Sequence, residues 1–409
     1  MAKSANEKSV PKLRFPEFED CWNVRRLDST GKFKSGSGFP EIEQGGKEGV
    51  PFLKVSDMNL IGNETEITTA NNYLTADHIK RLGYRPIYSR AIIFAKVGAA
   101  IFLERKRKAE NFLIDNNMMA FVPSDLIDYD YLACLFGTII FSKFAQIGAL
   151  PSYNAGDLGS IKVALPTISE QKKIAAFLGA VDDRLAALRK KRDLLSDYKR
   201  GAMQQIFSQK IRFTRDDGTP YPGWEEKKLG EVSAIYDGTH QTPKYVKSGV
   251  PFYSVEHVTA NDFSKTKYIA EEVYASECNR VSLERNDILM TRIGDIGTAR
   301  IIDWDVRASF YVSLALIKCT SDVIPSFLLQ CIRSSEFQQE LHKRTIHVAF
   351  PRKINLGEIG HCLLGLPHRE EQQKIADFLS AIDAKIDAVA QQIDRTETFK
   401  KGLLQQMFI

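Results

Sequence analysis

The sequence predicts an α+β chain: two tandem mixed α/β domains separated by two long antiparallel coiled-coil helices, arranged as a pseudo-two-fold internal repeat. Three observations predict it. Landmarks recur about 200 positions apart, two uninterrupted heptad runs follow corresponding landmarks, and the stretches before them alternate short β-type runs with Gly- and Asn-rich turns.

The repeat opens with Leu13-Arg-Phe-Pro-Glu-Phe, Trp22 and Arg26-Leu27, answered by Ile211-Arg-Phe-Thr, Trp224 and Lys228-Leu229; the tryptophans are 202 apart. Gly49-Val-Pro-Phe52 returns as Gly249-Val-Pro-Phe252, and Ile92-Ile-Phe-Ala-Lys96-Val-Gly98 resembles Ile288-Leu-Met-Thr-Arg292-Ile-Gly294. Ala149-Leu-Pro151 answers Ala349-Phe-Pro351. The closest match is Leu165-Pro-Thr-Ile-Ser-Glu170-Gln-Lys-Lys-Ile-Ala-Ala-Phe-Leu178 with Leu366-Pro-His-Arg-Glu-Glu371-Gln-Gln-Lys-Ile-Ala-Asp-Phe-Leu379, offset by 201. The unit is therefore a globular domain followed by a helix, written twice: 12–165 and 166–209, then 210–366 and 367–409.

Pro166 and Pro367 stop the strands that precede the helices, and Ser169 is placed to cap the first. Apolar residues then step by fours and threes through Ile174, Leu178, Val181, Leu185, Leu188 and Leu195. The second run gives Ile375, Leu379, Ile382, Ile386, Val389 and Ile393. Each helix spans at least roughly 30 residues, or about 45 Å at about 1.5 Å per residue. Such a stripe must be covered, and the other copy's stripe is the natural partner. The first helix ends at the second domain and the second helix begins there, so packing one on the other requires opposite directions. The alternative is that each helix packs only on its own domain. Arg189-Lys-Lys-Arg192 reads as a wet helix face, with Arg192 at a d position where a charge fixes register.

In the domains, Val50–Val55, Ala91–Ala95, Ile288–Thr291 and Ala299–Ile302 read as strands, and 129–145 and 325–342 as helices. Between matched landmarks the copies differ. Ser35-Gly-Ser-Gly-Phe-Pro40 stands against Thr239-His-Gln-Thr-Pro-Lys244, and Gln146–Asn154 against Arg344–Lys353. Shared frames with divergent polar loops suit two readers of different sequences. Arg and Lys pair with guanine and Asn and Gln with adenine, while other cations grip phosphates. The candidate DNA-binding residues in the first domain are Lys34, Ser35, Ser37, Lys54, Lys96, Ser152, Tyr153 and Asn154. In the second they are Thr239, His240, Gln241, Thr242, Lys244, Tyr245, His257, Arg292, His347, Arg352 and Lys353. The plain alternative for Lys96 and Arg292, in matched strand-to-glycine turns, is a solvated turn charge.

Composition permits this reading without demanding it. The chain has 409 residues, a net charge of +5 and 44% hydrophobic residues. The six cysteines form no CxxC pair and no metal-ligand spacing, so reduced thiols are expected and no metal. The polar N-terminus shows no secretory signal and no apolar run is long enough for a membrane span, so a cytoplasmic location is expected. No catalytic residues are expected. An adenine methylase's Asn/Asp-Pro-Pro-Tyr, a G-x-S-x-G and an H-E-x-x-H are absent, and Gly45-Gly-Lys47 runs into Glu48 instead of completing a phosphate loop.

Two domains with variable loops, each followed by a helix opening Leu-Pro…Glu-Gln-x-Lys-Ile-Ala-x-Phe-Leu, resemble the specificity (S) subunits of type I restriction–modification systems, a bacterial defence. The resemblance covers nearly the whole chain. It implies two target-recognition domains, each reading half of a gapped, asymmetric site in double-stranded DNA. It implies helices that set the gap and hold two adenine-methyltransferase (M) subunits, and separate restriction/translocase (R) subunits. This chain then needs no cofactor, and S-adenosylmethionine, ATP and magnesium belong to the partners. Arg189–Arg192 would meet spacer phosphates or an acidic methyltransferase surface. The competing classes are a self-sufficient nuclease or methylase, a coiled-coil scaffold that binds only protein, and an orphan DNA-binding protein.

Overall fold

The computed structural model describes residues 10–146, 148 and 150–409; Ile147 and Ala149 of the first variable loop, like the first nine residues, lie outside the described residues. The chain divides into two compact units, 1–188 with 392–409, and 189–391.

Unit one is built on a four-stranded antiparallel sheet ordered Gly31–Ser35, Met118–Pro123, Ala91–Ala95, Lys106–Ala109. All five residues of Ala91–Ala95 are buried. Alternation explains this: Ile92 and Phe94 point into one apolar cluster, Ala91 and Ile93 into a second on the other face. A smaller sheet joins Tyr73–Leu74, Val50–Leu53 and Leu113–Ile114, the last pair parallel. Asn23–Arg26 pairs with Lys162–Leu165 and so brings the domain's first strand beside its last.

Unit two repeats the plan. Its main sheet runs Ser233–Asp237, Leu314–Cys319, Ile288–Ile293, Asp295–Ile301. Again Ile288 and Met290 enter one cluster and Leu289 another. Val250–Tyr253 is parallel to Ser309–Phe310, and Glu225–Lys228 pairs with Leu363–Leu366. The predicted helix 325–342 is broken at Ser334, whose extended backbone ends Pro325–Arg333 and whose hydroxyl caps Ser335–Arg344. The predicted 129–145 is likewise shorter, an α-helix over Tyr129–Thr138 followed by one 3-10 turn.

The long helices are Ile168–Phe207 and Arg369–Met407. The expected cap at Ser169 is corrected. Thr167 lies one residue outside the helix, and its hydroxyl accepts from Glu170 N–H at 3.4 Å. In unit one the start of the first helix and the end of the second share one core, with Ile174, Leu178 and Val181 beside Leu403, Met407 and Phe408. In unit two the roles reverse: Ile375, Leu379 and Ile382 cluster with Met203 and Ile206. The start of one helix beside the end of the other is an antiparallel pairing. An ion pair marks it in each unit, Lys400–Asp182 at 2.5 Å and Lys199–Asp383 at 2.7 Å. These are repeat equivalents, since both lysines and both aspartates are 201 apart.

The heptad stripe does two jobs, joining the expected seam to the packing on its own domain that was the alternative. Ile174, Leu178 and Val181 lie in the cluster that holds Trp22 and Leu165, and Ile375, Leu379 and Ile382 in the cluster that holds Leu229 and Leu364. Leu185, Val389 and Ile393 are buried, Leu188, Leu195 and Ile386 half-buried. Arg192 is exposed and bonds its neighbour Asp193 at 3.0 Å.

The two ion pairs predict unequal costs. Asp383 also accepts from Gln330 Nε2 at 3.0 Å and lies 3.6 Å from Arg333. Burial pulls the pKa values of Lys199 and Arg333 down, so both depend on this carboxylate. Asp383→Ala is expected to cost about 1–3 kcal/mol. Asp182→Ala removes a more exposed pair and is expected to cost under about 1 kcal/mol. Denaturant titrations of both variants check this; equal losses would contradict it.

Candidate nucleic-acid interface

Strand direction decides which candidate residues meet. In unit one, Gly31–Ser35 ends, Ala91–Ala95 ends and Met118–Pro123 begins at the same edge of the main sheet. That edge gathers Lys34, Ser35, Ser37 and Lys96. Lys96 N–H donates to Asn117 O at 2.8 Å, and Ser37 bridges to Asp115. Pro151 and Ser152 close onto the same strand end: Gly98 N–H donates to Pro151 O at 2.8 Å and Ser152 bridges to Val97. Lys34 and Ser35 are exposed; Ser37, Lys96 and Ser152 are half-buried. Lys54 is set back, its ammonium on Gln44 Oε1 at 3.1 Å.

Unit two repeats this edge with different side chains. Ser233–Asp237 delivers Thr239 to Thr242, Ile288–Ile293 delivers Arg292, and the loop 346–353 is fastened to that strand. Gly294 N–H donates to Arg352 O at 2.8 Å and Ile354 N–H to Arg292 O at 3.0 Å. His240, Gln241, Thr242, His347, Arg352 and Lys353 are exposed. The Thr242 and Tyr311 hydroxyls share a hydrogen bond of 3.1 Å, and His347 Nε2 lies 2.9 Å from His342 O. Lys244 and Tyr245 are exposed where the strand Tyr245–Val246 begins, paired with Lys267–Ile269, and Lys267 Nζ stands 4.7 Å from the Tyr245 ring centre.

Electrostatics at this edge centre on Asp237. Burial alone pushes its carboxyl up, but Arg280 at 2.6 Å and His240 at 2.7 Å together hold it below the usual carboxylate range. Arg292 is 9% exposed; burial pulls its pKa down, Asp237 opposes this, and its Nε is enclosed without a partner. It is therefore a rim residue held inside the fold rather than a free turn cation, whereas Lys96 of the matched pair is half-buried.

Three further expectations are corrected. Tyr153 is buried and its hydroxyl donates to Ala95 O, so it belongs to the core. His257 is buried: its Nδ1 accepts from Ser254 N–H at 2.9 Å and its Nε2 donates to Lys265 O at 3.1 Å, which caps a short helix. Thr239 is buried with its hydroxyl oxygen unpartnered. Asn154 is exposed, but its side-chain oxygen is used on Gly156 and Asp157 N–H groups.

Two glycines that sequence reasoning passed over shape the edge. A Cβ at Gly36 would sit 1.9 Å from Asp115 O, and one at Gly238 would sit 2.1 Å from Phe310 O. They are 202 apart, and that equivalence was a readable signal. Each lets the first loop cross against a neighbouring strand.

The shared Glu-Gln phrase has a structural role. Glu170 accepts from Arg14 Nε at 2.7 Å and Trp22 Nε1 at 3.2 Å. Glu371 accepts from Arg212 Nη2 at 2.6 Å and Trp224 Nε1 at 3.2 Å. Gln171 accepts from Asp128 N–H at 2.7 Å, and Gln372 from Ile324 N–H at 2.9 Å. All four are buried and lock each domain onto the first turn of its helix.

The described residues contain no group of three or more His, Cys, Asp or Glu able to hold a metal, and no helix long and apolar enough to cross a membrane. Burial pushes the thiols of Cys331 and Cys362 up to about 12, so they are poor nucleophiles and ligands.

The Type I restriction modification DNA specificity domain matches this chain twice, over residues 19–195 and 221–398. The chain is 25% identical to the MjaVIII type I restriction enzyme specificity subunit of Methanocaldococcus jannaschii, over 98% of this chain and 95% of the relative. It is 23% identical to the EcoBI specificity subunit of Escherichia coli over 59% of this chain and 56% of the relative. In fold it is similar to the type I system S subunit of M. genitalium, with a TM-score of 0.62 at 15% identity, covering 98% of this chain and 99% of that one. A chain from a structural study of type I restriction–modification complex assembly aligns with a TM-score of 0.55 at 16% identity, over 94% and 96%. The duplicated domain, the helix that closes each copy and these likenesses together place the chain in the family of type I restriction–modification specificity subunits.

Proposed function

We propose that each domain reads one half of a gapped, asymmetric site in double-stranded DNA, and that the long helices hold two adenine-methyltransferase subunits and set the gap. Specificity subunits are non-catalytic, so methylation and cleavage belong to partners: methyltransferase subunits with S-adenosylmethionine, and restriction/translocase subunits with ATP and magnesium. One observation carries the reading. Two frames of the same strand order present, at the same sheet edge, loops of different sequence beside the matched Lys96 and Arg292 strand ends. Two readers of different bases on one continuous polymer require that combination, because the phosphates repeat while the base edges do not.

Lys96 tests it. Its frame is duplicated and its side chain is half-buried at the rim, so it is assigned to phosphate rather than to a base. Lys96→Ala in the assembled complex is expected to weaken binding to all duplexes alike. The slope of log affinity against log salt should fall by roughly one unit. A loss confined to one base position would make it a guanine reader. Unchanged binding would leave it a turn charge and remove the cation from the interface. Arg292→Ala is a poorer probe, because removing a 9% exposed side chain also disturbs packing.

A further inference from the structure

The loop 346–353 leaves apolar side chains in water with nothing folded over them. Val348 is 96% exposed and Phe350 104%. The loop itself is well anchored. Ile346 N–H donates to Lys353 O at 2.8 Å, and the neighbouring Arg352 and Ile354 are bonded to the strand that carries Arg292. Burying a phenyl ring is worth about 1.5–3 kcal/mol, so a ring held out on a fixed stem is set for an external partner.

Unit one presents the same feature. Leu150 is 61% exposed, and Pro151 beside it is fastened to Gly98. Leu150-Pro151 and Phe350-Pro351 stand 200 apart, within loops that otherwise differ. An exposed apolar residue therefore recurs at the one edge where the matched cations also recur.

Charge selects the partner. Between 341 and 357 the sequence holds four Lys or Arg and no Asp or Glu. Lys343 and Arg344 are paired with Glu340, while Arg352 and Lys353, immediately beyond the Phe350 tip, are exposed. An apolar point with cations at its base is complementary to a partner whose surface is anionic and whose interior is apolar and stacked. Duplex DNA has that construction.

We propose that Phe350, with Val348 behind it, is a wedge that enters a groove of duplex DNA and opens one base step at the half-site facing unit two, and that Leu150 does the same for unit one. This rests on the DNA-reading function proposed above and adds a second mode of recognition to it. Opening a step has a free-energy cost that depends on which bases are unstacked, and pyrimidine–purine steps yield most readily. The wedge therefore contributes sequence preference without a hydrogen bond to any base.

The test uses the full chain assembled with its methyltransferase subunits. The probe is a short duplex selected by that assembly from a randomised pool, then substituted with fluorescent aminopurine along its length. Phe350→Ala is expected to bind roughly 5- to 100-fold more weakly, the worth of one base–aromatic stack. Its salt slope should stay that of the parent, because no phosphate contact is lost. The fluorescence rise that marks an unstacked step should disappear, and Phe350→Trp should retain both affinity and signal. The residue is fully exposed, so neither change threatens folding. Unaltered affinity and unstacking in Phe350→Ala would overturn the wedge. So would failure of that variant to join the methyltransferase subunits without DNA, which would make the tip a protein-docking point. If the parent selects no sequence from the pool, the DNA-reading function itself fails and takes the wedge with it; if it selects one, only the wedge is at stake.

Discussion

Replacing Glu371 by Ala is expected to destabilise unit two by about 3–5 kcal/mol, the cost of removing one partner from a buried ion pair. Glu371 is 0% exposed and collects three donors: Arg212 Nε at 3.1 Å, Arg212 Nη2 at 2.6 Å and Trp224 Nε1 at 3.2 Å. Arg212 also donates to Pro222 O at 2.6 Å, so the same guanidinium ties the incoming strand to the helix. Its side chain is 26% exposed, so water can reach it once the carboxylate is gone, and the loss should fall toward the lower end of the range. Glu371→Gln keeps an acceptor and the shape and should lose less. Denaturant unfolding followed by tryptophan fluorescence reads the effect. Trp224 and Trp304 report on unit two and Trp22 on unit one, so a Trp-to-Phe background separates the two transitions. A loss below about 1 kcal/mol would remove the joint from the account.

That joint shows what the sequence disclosed and what it withheld. The phrase Glu-Gln-x-Lys-Ile-Ala-x-Phe-Leu was legible as a repeat and as a family signature. Its cause was not, because the partners of Glu170 lie 156 and 148 positions away. The same limit explains the heptads. Spacing identifies an apolar stripe, but Ile174 and Leu178 share their core with Trp22 and Leu165, which only tertiary structure brings near. The strand Ala91–Ala95 was readable to the residue because a central strand is apolar on both faces.

At the candidate edge, loop membership was the only local guide, and it does not separate a side chain facing outward from one turned in. Tyr153, in a variable loop, and His257, just past the shared Gly-Val-Pro-Phe landmark, both spend their polar atoms on the protein's own backbone. Gly36 and Gly238 were visible as a matched pair, but their reason, a carbonyl that would overlap the first atom of any side chain, is a fact of packing.

The central claim is that each unit reads its own half-site, and exchanging one domain tests it most directly. Residues 12–165 would be replaced by the corresponding region of a related specificity subunit of known site. The structure sets two conditions on the donor. It must supply the Arg and Trp that bond Glu170, and its interior must fit Ile174, Leu178, Leu403 and Met407, which the host's helices contribute to this core. The hybrid is assembled with its methyltransferase subunits, and methylated adenines are mapped across a genome. The account predicts that one half of the site takes the donor's sequence while the other half and the gap between them stay as in the parent. A hybrid that assembles and methylates, but changes both halves or neither, would contradict it.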